Sequence, residues 1–134
     1  MVMYLPAAGS RARRSGFTLI ELMVVMTIVS LLLSLAAPRY FRSIERSKET
    51  VLKANLAATR DALDKFHADT GHYPDQLDEL VSKRYLRTLP FDPIAESSTS
   101  WVLVSPPDAQ GTGVYNLISG APGASADGIP YADW

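Results

Sequence analysis

Residues 13–21 read R-R-S-G-F-T-L-I-E and lead into an apolar run of 21 residues, 17–37, in which Glu21 is the single charged residue. At 1.5 Å per residue, a helix of this length spans about 31 Å, which is enough to cross the hydrocarbon core of a bilayer. Apolar residues fall on every face of such a helix, so its length is the informative feature. The sequence therefore predicts a membrane-spanning helix with one carboxylate near its start.

The segment before this helix has two interpretations. Residues 1–16 hold three arginines and no acid, which is typical of the positively charged front of a targeting segment. Cleavage near Ala37 would make the whole region a secretory signal peptide, but the apolar run is long for a signal peptide and contains an acid. Cleavage between Gly16 and Phe17 would instead remove residues 1–16 and leave the apolar helix on the mature protein.

Glu21 needs a polar partner wherever it lies in the bilayer. An unpaired carboxylate costs roughly 2.5 kcal/mol or more at mid-depth and less near an interface. Glu21 either reaches water at the interface or pairs with a cation, and cleavage before Phe17 would create such a cation as a new N-terminal amine. The amine of the same chain points off the helix end, whereas a neighbouring subunit shifted by about one turn would place its amine beside Glu21.

The helix is predicted to continue beyond Pro38, a residue that ends or kinks a helix. A stripe of one helix face follows, with spacings of 4, 3, 4 and 3, at Leu52, Leu56, Thr59, Leu63 and Phe66. This spacing is typical of an amphipathic helix that packs on a core. Thr70 and Gly71 supply a stop signal. We predict one long helix over about residues 17–69, kinked near Pro38.

The rest of the chain predicts a small α+β head over residues 38–134, including the amphipathic half of the helix. Residues 76–81 should form a short helix. Residues 100–105 and 113–119 have strand composition, and the turn-rich P-P-D-A-Q-G-T lies between them, so an antiparallel hairpin is expected. Residues 120–134 show no periodicity and are predicted to be a loop.

Several function classes are disfavoured by composition and motifs. The net charge is −1, there is no basic stripe interleaved with aromatics, and there is no cysteine, so neither nucleic-acid binding nor a thiolate metal site is expected. His67 and His72 would lie roughly 140° apart around a helix that Gly71 ends, which makes a poor metal pair. No nucleophile, base or phosphate-loop pattern stands out. The chain is not predicted to be an enzyme.

Residues 13–26, R-R-S-G-F-T-L-I-E-L-M-V-V-M, resemble the processing site of type IV pilins and the related pseudopilins. The resemblance implies that a prepilin peptidase cuts between Gly16 and Phe17, that Phe17 is then N-methylated, and that Glu21 acts in assembly. It also implies a type IV pilin-like fold and a single-pass position in the bacterial inner membrane, with the head in the periplasm. Basic residues flank the span on both sides, so charge alone does not orient it.

Most of the remaining chain resembles the major, G-type pseudopilin of type II secretion systems. The resemblance rests on T-G-x-Y-P at residues 70–74, on Y-x-x-x-L-P-x-D-P at residues 85–93, and on the Gly-rich tail ending in Trp134. It implies a homo-oligomeric periplasmic pseudopilus that drives protein export. The implied partners are minor pseudopilins, the prepilin peptidase and methyltransferase, and an inner-membrane platform with its ATPase. The alternatives are a minor or adhesive type IV pilin, and a periplasmic binding module that bears a signal peptide.

The resemblance also implies a calcium ion in the C-terminal loop, held by two aspartates and main-chain carbonyls. Asp127 matches one aspartate, whereas Pro122 stands where the other is expected, and Asp133 is a further candidate without a motif match. Calcium takes six to eight oxygen ligands, commonly with more than one carboxylate. Either Asp127 and Asp133 help to bind calcium, or the packing of Tyr131 and Trp134 holds the loop instead.

Overall fold

The computed structural model describes residues 2–3, 15–108 and 111–134. In chain order the elements are helix α1 (Leu19–Thr70), helix α2 (Leu77–Ser82), strands β1 (Val102–Val104) and β2 (Asn116–Ile118), and a 3-10 helix (Tyr131–Asp133). The strands form a two-stranded antiparallel sheet. This arrangement confirms the predicted α+β class, in which one long N-terminal helix accompanies a short hairpin.

The chain divides into two compact units, Met1–Arg39 and Tyr40–Trp134. In the first unit, every helical residue is exposed. Within the described residues, α1 is the one helix long and apolar enough to cross a membrane, and its most apolar window is entirely unburied. Side chains of this composition need an apolar surrounding, which a bilayer supplies.

Helix α1 runs through Pro38 without interruption. Proline has no N–H to donate to the carbonyl four residues earlier, so one helical hydrogen bond is missing here. The main-chain hydrogen bonds before and after Pro38 keep the helix continuous. The kink near Pro38 stays a prediction.

The second half of α1 supplies one side of the core of the second unit. The predicted stripe is confirmed, because no member is more than 2% exposed: Leu52, Leu56, Thr59, Leu63 and Phe66. The core is completed by Leu77, Leu80, Trp101, Val114, Leu117, Ala121 and Tyr131. Burying each large apolar side chain stabilises the head by about 1.5–3 kcal/mol relative to leaving it in water.

Gly71 ends α1, as predicted. Its φ is +80°, and its N–H donates to the carbonyl of His67 at 2.8 Å, which is the left-handed conformation that glycine adopts after a helix. Helix α2 begins and ends one residue later than predicted, with Leu77 and Leu80 buried and Val81 half-buried.

The hairpin is confirmed with shorter strands than predicted. Val102 pairs with Ile118 and Val104 with Asn116. Before β2, Gly113 has φ +106°, and a Cβ there would lie 2.8 Å from the carbonyl oxygen of Tyr73. Glycine is required at this position because the chain passes so close to that main chain.

The C-terminal segment is more ordered than the loop predicted for it. It contains the 3-10 helix and an antiparallel bridge between Ala124 and Pro130. The loop prediction was wrong in this respect because the order comes from contacts with α1, which leave no periodic pattern in residues 120–134.

Candidate functional site

The predicted cleavage site lies in irregular, exposed backbone before α1. Gly16 and Phe17 are both exposed, and the Phe17 side chain is 93% accessible to solvent. Irregular exposed segments are those that a protease can draw into its active site. Arg11, Arg13 and Arg14 of the predicted leader lie outside the described residues.

Two reciprocal hydrogen bonds close the start of α1. The main-chain N–H of Thr18 donates to Glu21 Oε2 at 2.8 Å, and the N–H of Glu21 donates to Thr18 Oγ1 at 3.2 Å. The carbonyl of Thr18 accepts the first helical bond, from Leu22, at 3.2 Å. This is a capping box, which satisfies two N–H groups that have no partner within the helix.

Reasoning from the sequence missed this cap, although the signal was present. T-L-I-E at residues 18–21 has the Ser/Thr-x-x-Glu spacing of a capping box. Glu21 therefore has one partner within its own chain. An ionised carboxylate offers about four lone-pair positions, so the cap leaves Glu21 with acceptor capacity for a cation.

Glu49, on the buried side of α1, contacts the C-terminal segment. It is 9% exposed. Its Oε1 accepts hydrogen bonds from the main-chain N–H of Ala126 at 2.8 Å and from the Tyr131 hydroxyl at 3.1 Å. Burial, followed by the hydrogen bond to Glu49, raises the pKa of Tyr131 above its usual value. Glu49 belongs to none of the motifs recognised in the sequence.

Arg60, three helical turns further along α1, contacts the sheet and the end of the chain. Its Nη2 donates to the carbonyl oxygen of Leu117 at 3.0 Å and to the main-chain oxygen of Trp134 at 2.6 Å. Its Nε donates to Asn116 Oδ1 at 2.8 Å. One guanidinium thereby joins α1, β2 and the C-terminal segment, which its fork of donors allows.

The packing of Tyr131 and Trp134 is observed. Their rings meet edge to face with centroids 5.2 Å apart. The Lys53 ammonium lies 4.3 Å from the centroid of the Trp134 ring, a cation–π contact. Aromatic packing and side-chain hydrogen bonds from α1 both hold the C-terminal segment.

Asp127 and Asp133, the candidate calcium ligands, are both exposed, and Asp133 lies within the 3-10 helix. No group of three acidic or histidine side chains in the described ranges is placed to hold a metal ion. The side chains present do not meet the oxygen requirement of calcium. Calcium binding by Asp127 and Asp133 stays a prediction.

Asp92, in the L-P-x-D-P segment, is fully buried. Its Oδ1 accepts from the N–H groups of Ile94 at 2.8 Å and Ala95 at 3.0 Å, and its Oδ2 accepts from the Ser119 hydroxyl. A buried carboxylate needs this many donors. Asp92 therefore ties the connection before β1 to the end of β2, a structural role.

The histidines make separate aromatic contacts. His67 stacks on Tyr73 with centroids 4.2 Å apart, and His72 meets Phe66 edge to face at 5.5 Å. These contacts place both rings within the packing of the loop after α1.

Comparison with known proteins adds to this picture. Residues 11–37 match the family described as "Prokaryotic N-terminal methylation motif". The chain is 31% identical over 126 residues to the type II secretion system core protein G of Escherichia coli, which covers 82% of this chain and 83% of that protein. It is 29% identical over 138 residues to the core protein G of Vibrio cholerae, which covers 91% and 92%.

A type IV pilin is similar over a shorter region. The major pilin PilA of Myxococcus xanthus is 38% identical over 68 residues, which cover 51% of this chain and 31% of the pilin. No significant match to a solved structure was found. The similarity to core protein G thus extends over both units, whereas the similarity to the pilin covers half of the chain.

Proposed function

The chain belongs to the family of type II secretion system core protein G, and we propose from this membership that it is the pseudopilin subunit of a periplasmic pseudopilus that drives protein export. The observation that carries the proposal is similarity over 83% of the length of a core protein G. A match of 82% of this chain extends well beyond residues 11–37 into the head. The relatives are named as core proteins of a type II secretion system, and we propose a structural role for this chain and no enzymatic activity.

The apolar helix and the methylation motif fit a single-pass protein of the inner membrane. We propose that the N-terminus is cytoplasmic before cleavage and that the head is periplasmic. The proposed partners are further copies of this chain, minor pseudopilins, the prepilin peptidase and methyltransferase, and the inner-membrane platform with its ATPase. The exposed apolar surface of residues 17–37 supports assembly with further copies of this chain. This surface can contact lipid in the membrane and the same helix of neighbouring subunits in the filament.

Cleavage between Gly16 and Phe17 is proposed to switch on assembly. Before cleavage the Phe17 nitrogen is a neutral amide, and afterwards it is a cationic amine. The capping box holds the Glu21 carboxylate at the helix start, where the amine of an axially shifted neighbour can reach it. Glu21 would then serve two partners, the Thr18 amide in its own chain and the Phe17 amine of the next subunit.

The PilA similarity keeps one alternative open, a minor or adhesive type IV pilin. The shared region covers half of this chain and less than a third of the pilin. Core protein G is the better supported assignment because it also accounts for the head.

Mass spectrometry of the chain purified from its native membrane tests the processing step. We expect a mature protein that begins at Phe17 and carries one N-terminal methyl group. The precursor made without prepilin peptidase is the control and should retain residues 1–16. A mature chain that begins near Ala37 or Pro38 would contradict the pseudopilin assignment and favour a cleaved signal peptide.

A further inference from the structure

We propose that Glu49 closes the C-terminal loop onto α1 in place of a metal ion, so that the head of this protein folds and holds its loop without calcium. The closure consists of the Glu49 carboxylate, the main-chain N–H of Ala126 and the hydroxyl of Tyr131. We call these three groups the Glu49 clasp. The inference depends on the fold of the head and not on the proposed role in secretion.

The clasp joins parts of the chain that are far apart in sequence. Glu49 Oε1 accepts from Ala126, 77 residues away, at 2.8 Å and from Tyr131, 82 residues away, at 3.1 Å. Hydrogen bonds to an ionised group are roughly twice as strong as those between neutral groups. Because Glu49 is 9% exposed, water competes weakly for this oxygen. One side chain from α1 therefore does what a bridging cation would do, which is to fasten the loop to the rest of the head.

Three of the loop's own carbonyls already accept hydrogen bonds within the loop. The carbonyl of Ile129 accepts from the N–H of Ser125 at 2.8 Å, that of Ser125 accepts from Gly128 at 2.9 Å, and that of Gly123 accepts from Tyr131 at 3.3 Å. A calcium site would need several main-chain oxygens turned towards one point. In this loop three of these oxygens are instead acceptors in a hydrogen-bonded turn.

The cleft beside the loop is lined by carboxylates of α1 and by none of the C-terminal loop. A cleft of about 480 Å³ lies between α1 and the loop, and Glu49, Lys48 and Pro122 contribute to its lining. Pro122 provides no carboxylate where the family resemblance implies one. The cleft is lined by two carboxylates of α1, Glu45 and Glu49, and by the Lys48 ammonium. Lys48 pairs with the Glu96 carboxylate at 3.0 Å, and Glu49 accepts hydrogen bonds from Ala126 and Tyr131. The acid that faces the loop thus comes from α1, and its nearest donors are protein groups.

Thermal unfolding of the full-length protein in detergent micelles tests the inference. Tryptophan fluorescence reports on the head, since Trp101 is buried and Trp134 packs on Tyr131. We expect the same Tm in excess calcium and in excess EGTA. We expect Glu49→Ala to lower the Tm by about 8 °C, and Glu49→Gln to lower it less, because an amide oxygen still accepts both hydrogen bonds without the charge.

Matched variants give the controls. Glu45→Gln changes another acid that lines the same cleft and should leave the Tm unchanged, as should Asp127→Asn. If Glu49→Ala fails to fold, Tyr131→Phe removes one donor alone and should lower the Tm by a few degrees. An unchanged Tm in Glu49→Ala, or in Tyr131→Phe, overturns the clasp. A Tm that rises with calcium in the wild type and not in Asp127→Asn overturns it as well, and establishes a calcium site.

Discussion

We expect the closure of the loop to be sensitive to alkaline pH through Tyr131. It is 7% exposed, and its hydroxyl donates to a carboxylate oxygen. Burial is the first cause that raises its pKa above the ordinary value of 10.0, and the hydrogen bond to Glu49 is the second. Both causes favour the neutral hydroxyl, which can donate where a phenolate cannot.

The sign of the pH dependence follows from this shift. The folded pKa of Tyr131 is raised, so the unfolded state loses its proton first. The stabilisation that Tyr131 provides is fully present below about pH 10 and is lost as the pH rises through the folded pKa. We expect urea unfolding of the wild type to show a steeper fall in stability above about pH 10 than unfolding of Tyr131→Phe.

Tyr40→Phe is the matched control, because Tyr40 is 65% exposed. Its stability should follow the wild-type profile across the alkaline range. Parallel profiles for the wild type and Tyr131→Phe would show that ionisation of Tyr131 is not linked to unfolding of the head.

At the start of helix α1, Glu21 has a structural role as a helix cap and a proposed functional role as a charged contact in assembly. The capping box needs a side-chain acceptor, which glutamine also supplies, whereas a contact with an amine needs the negative charge. The two roles can therefore be separated by substitution.

We expect Glu21→Gln to be cleaved normally and to assemble into filaments as poorly as Glu21→Ala, since both lack the charge. Thr18→Val removes the hydroxyl that caps α1, which costs about 1 kcal/mol of helix stability, and it should assemble much better than either. Filament yield by electron microscopy and cleavage by immunoblot are the measurements. Normal filaments from Glu21→Gln would show that Glu21 serves as a cap and not as a charged contact.

The two halves of α1 differ in how well the spacing of their residues predicts which face is buried. Leu56 and Leu63 are predicted as core from spacing alone, and each is buried as expected. In the first unit the helix carries apolar residues on all of its faces, so their spacing does not single out one face. The difference has a physical cause. The second half of α1 has one face on the core and one face in water, whereas the first half has an apolar surrounding on every side.

For the whole molecule, the family assignment makes a test in the native host decisive. Deletion of the gene should leave the proteins exported by the type II system in the periplasm, at background levels in the medium, while surface pili are unchanged. The wild-type gene should restore export. Loss of pili with normal export would instead support the type IV pilin alternative.

The contacts that hold the C-terminal loop could not be predicted from the sequence. Asp127 is a calcium candidate because it matches the family's loop, and Asp133 is one without a motif match, yet both side chains are exposed. Glu49 and Arg60 hold the loop, and on the sequence they look like other charged residues of an amphipathic helix. Their partners lie from 56 to 82 residues away, a distance over which no local pattern can indicate a contact.

The amino-acid sequence by itself determined the apolar N-terminal helix, the buried stripe of its second half, the glycine stop at Gly71 and the hairpin. Each of these depends on neighbours within a few residues, whose spacing follows the geometry of a helix or a strand. The tertiary structure alone decided that a carboxylate of α1 fastens the C-terminal loop. Glu49 meets Ala126 and Tyr131 only after the chain has folded back along α1, and the low exposure of that contact is what gives its hydrogen bonds their strength.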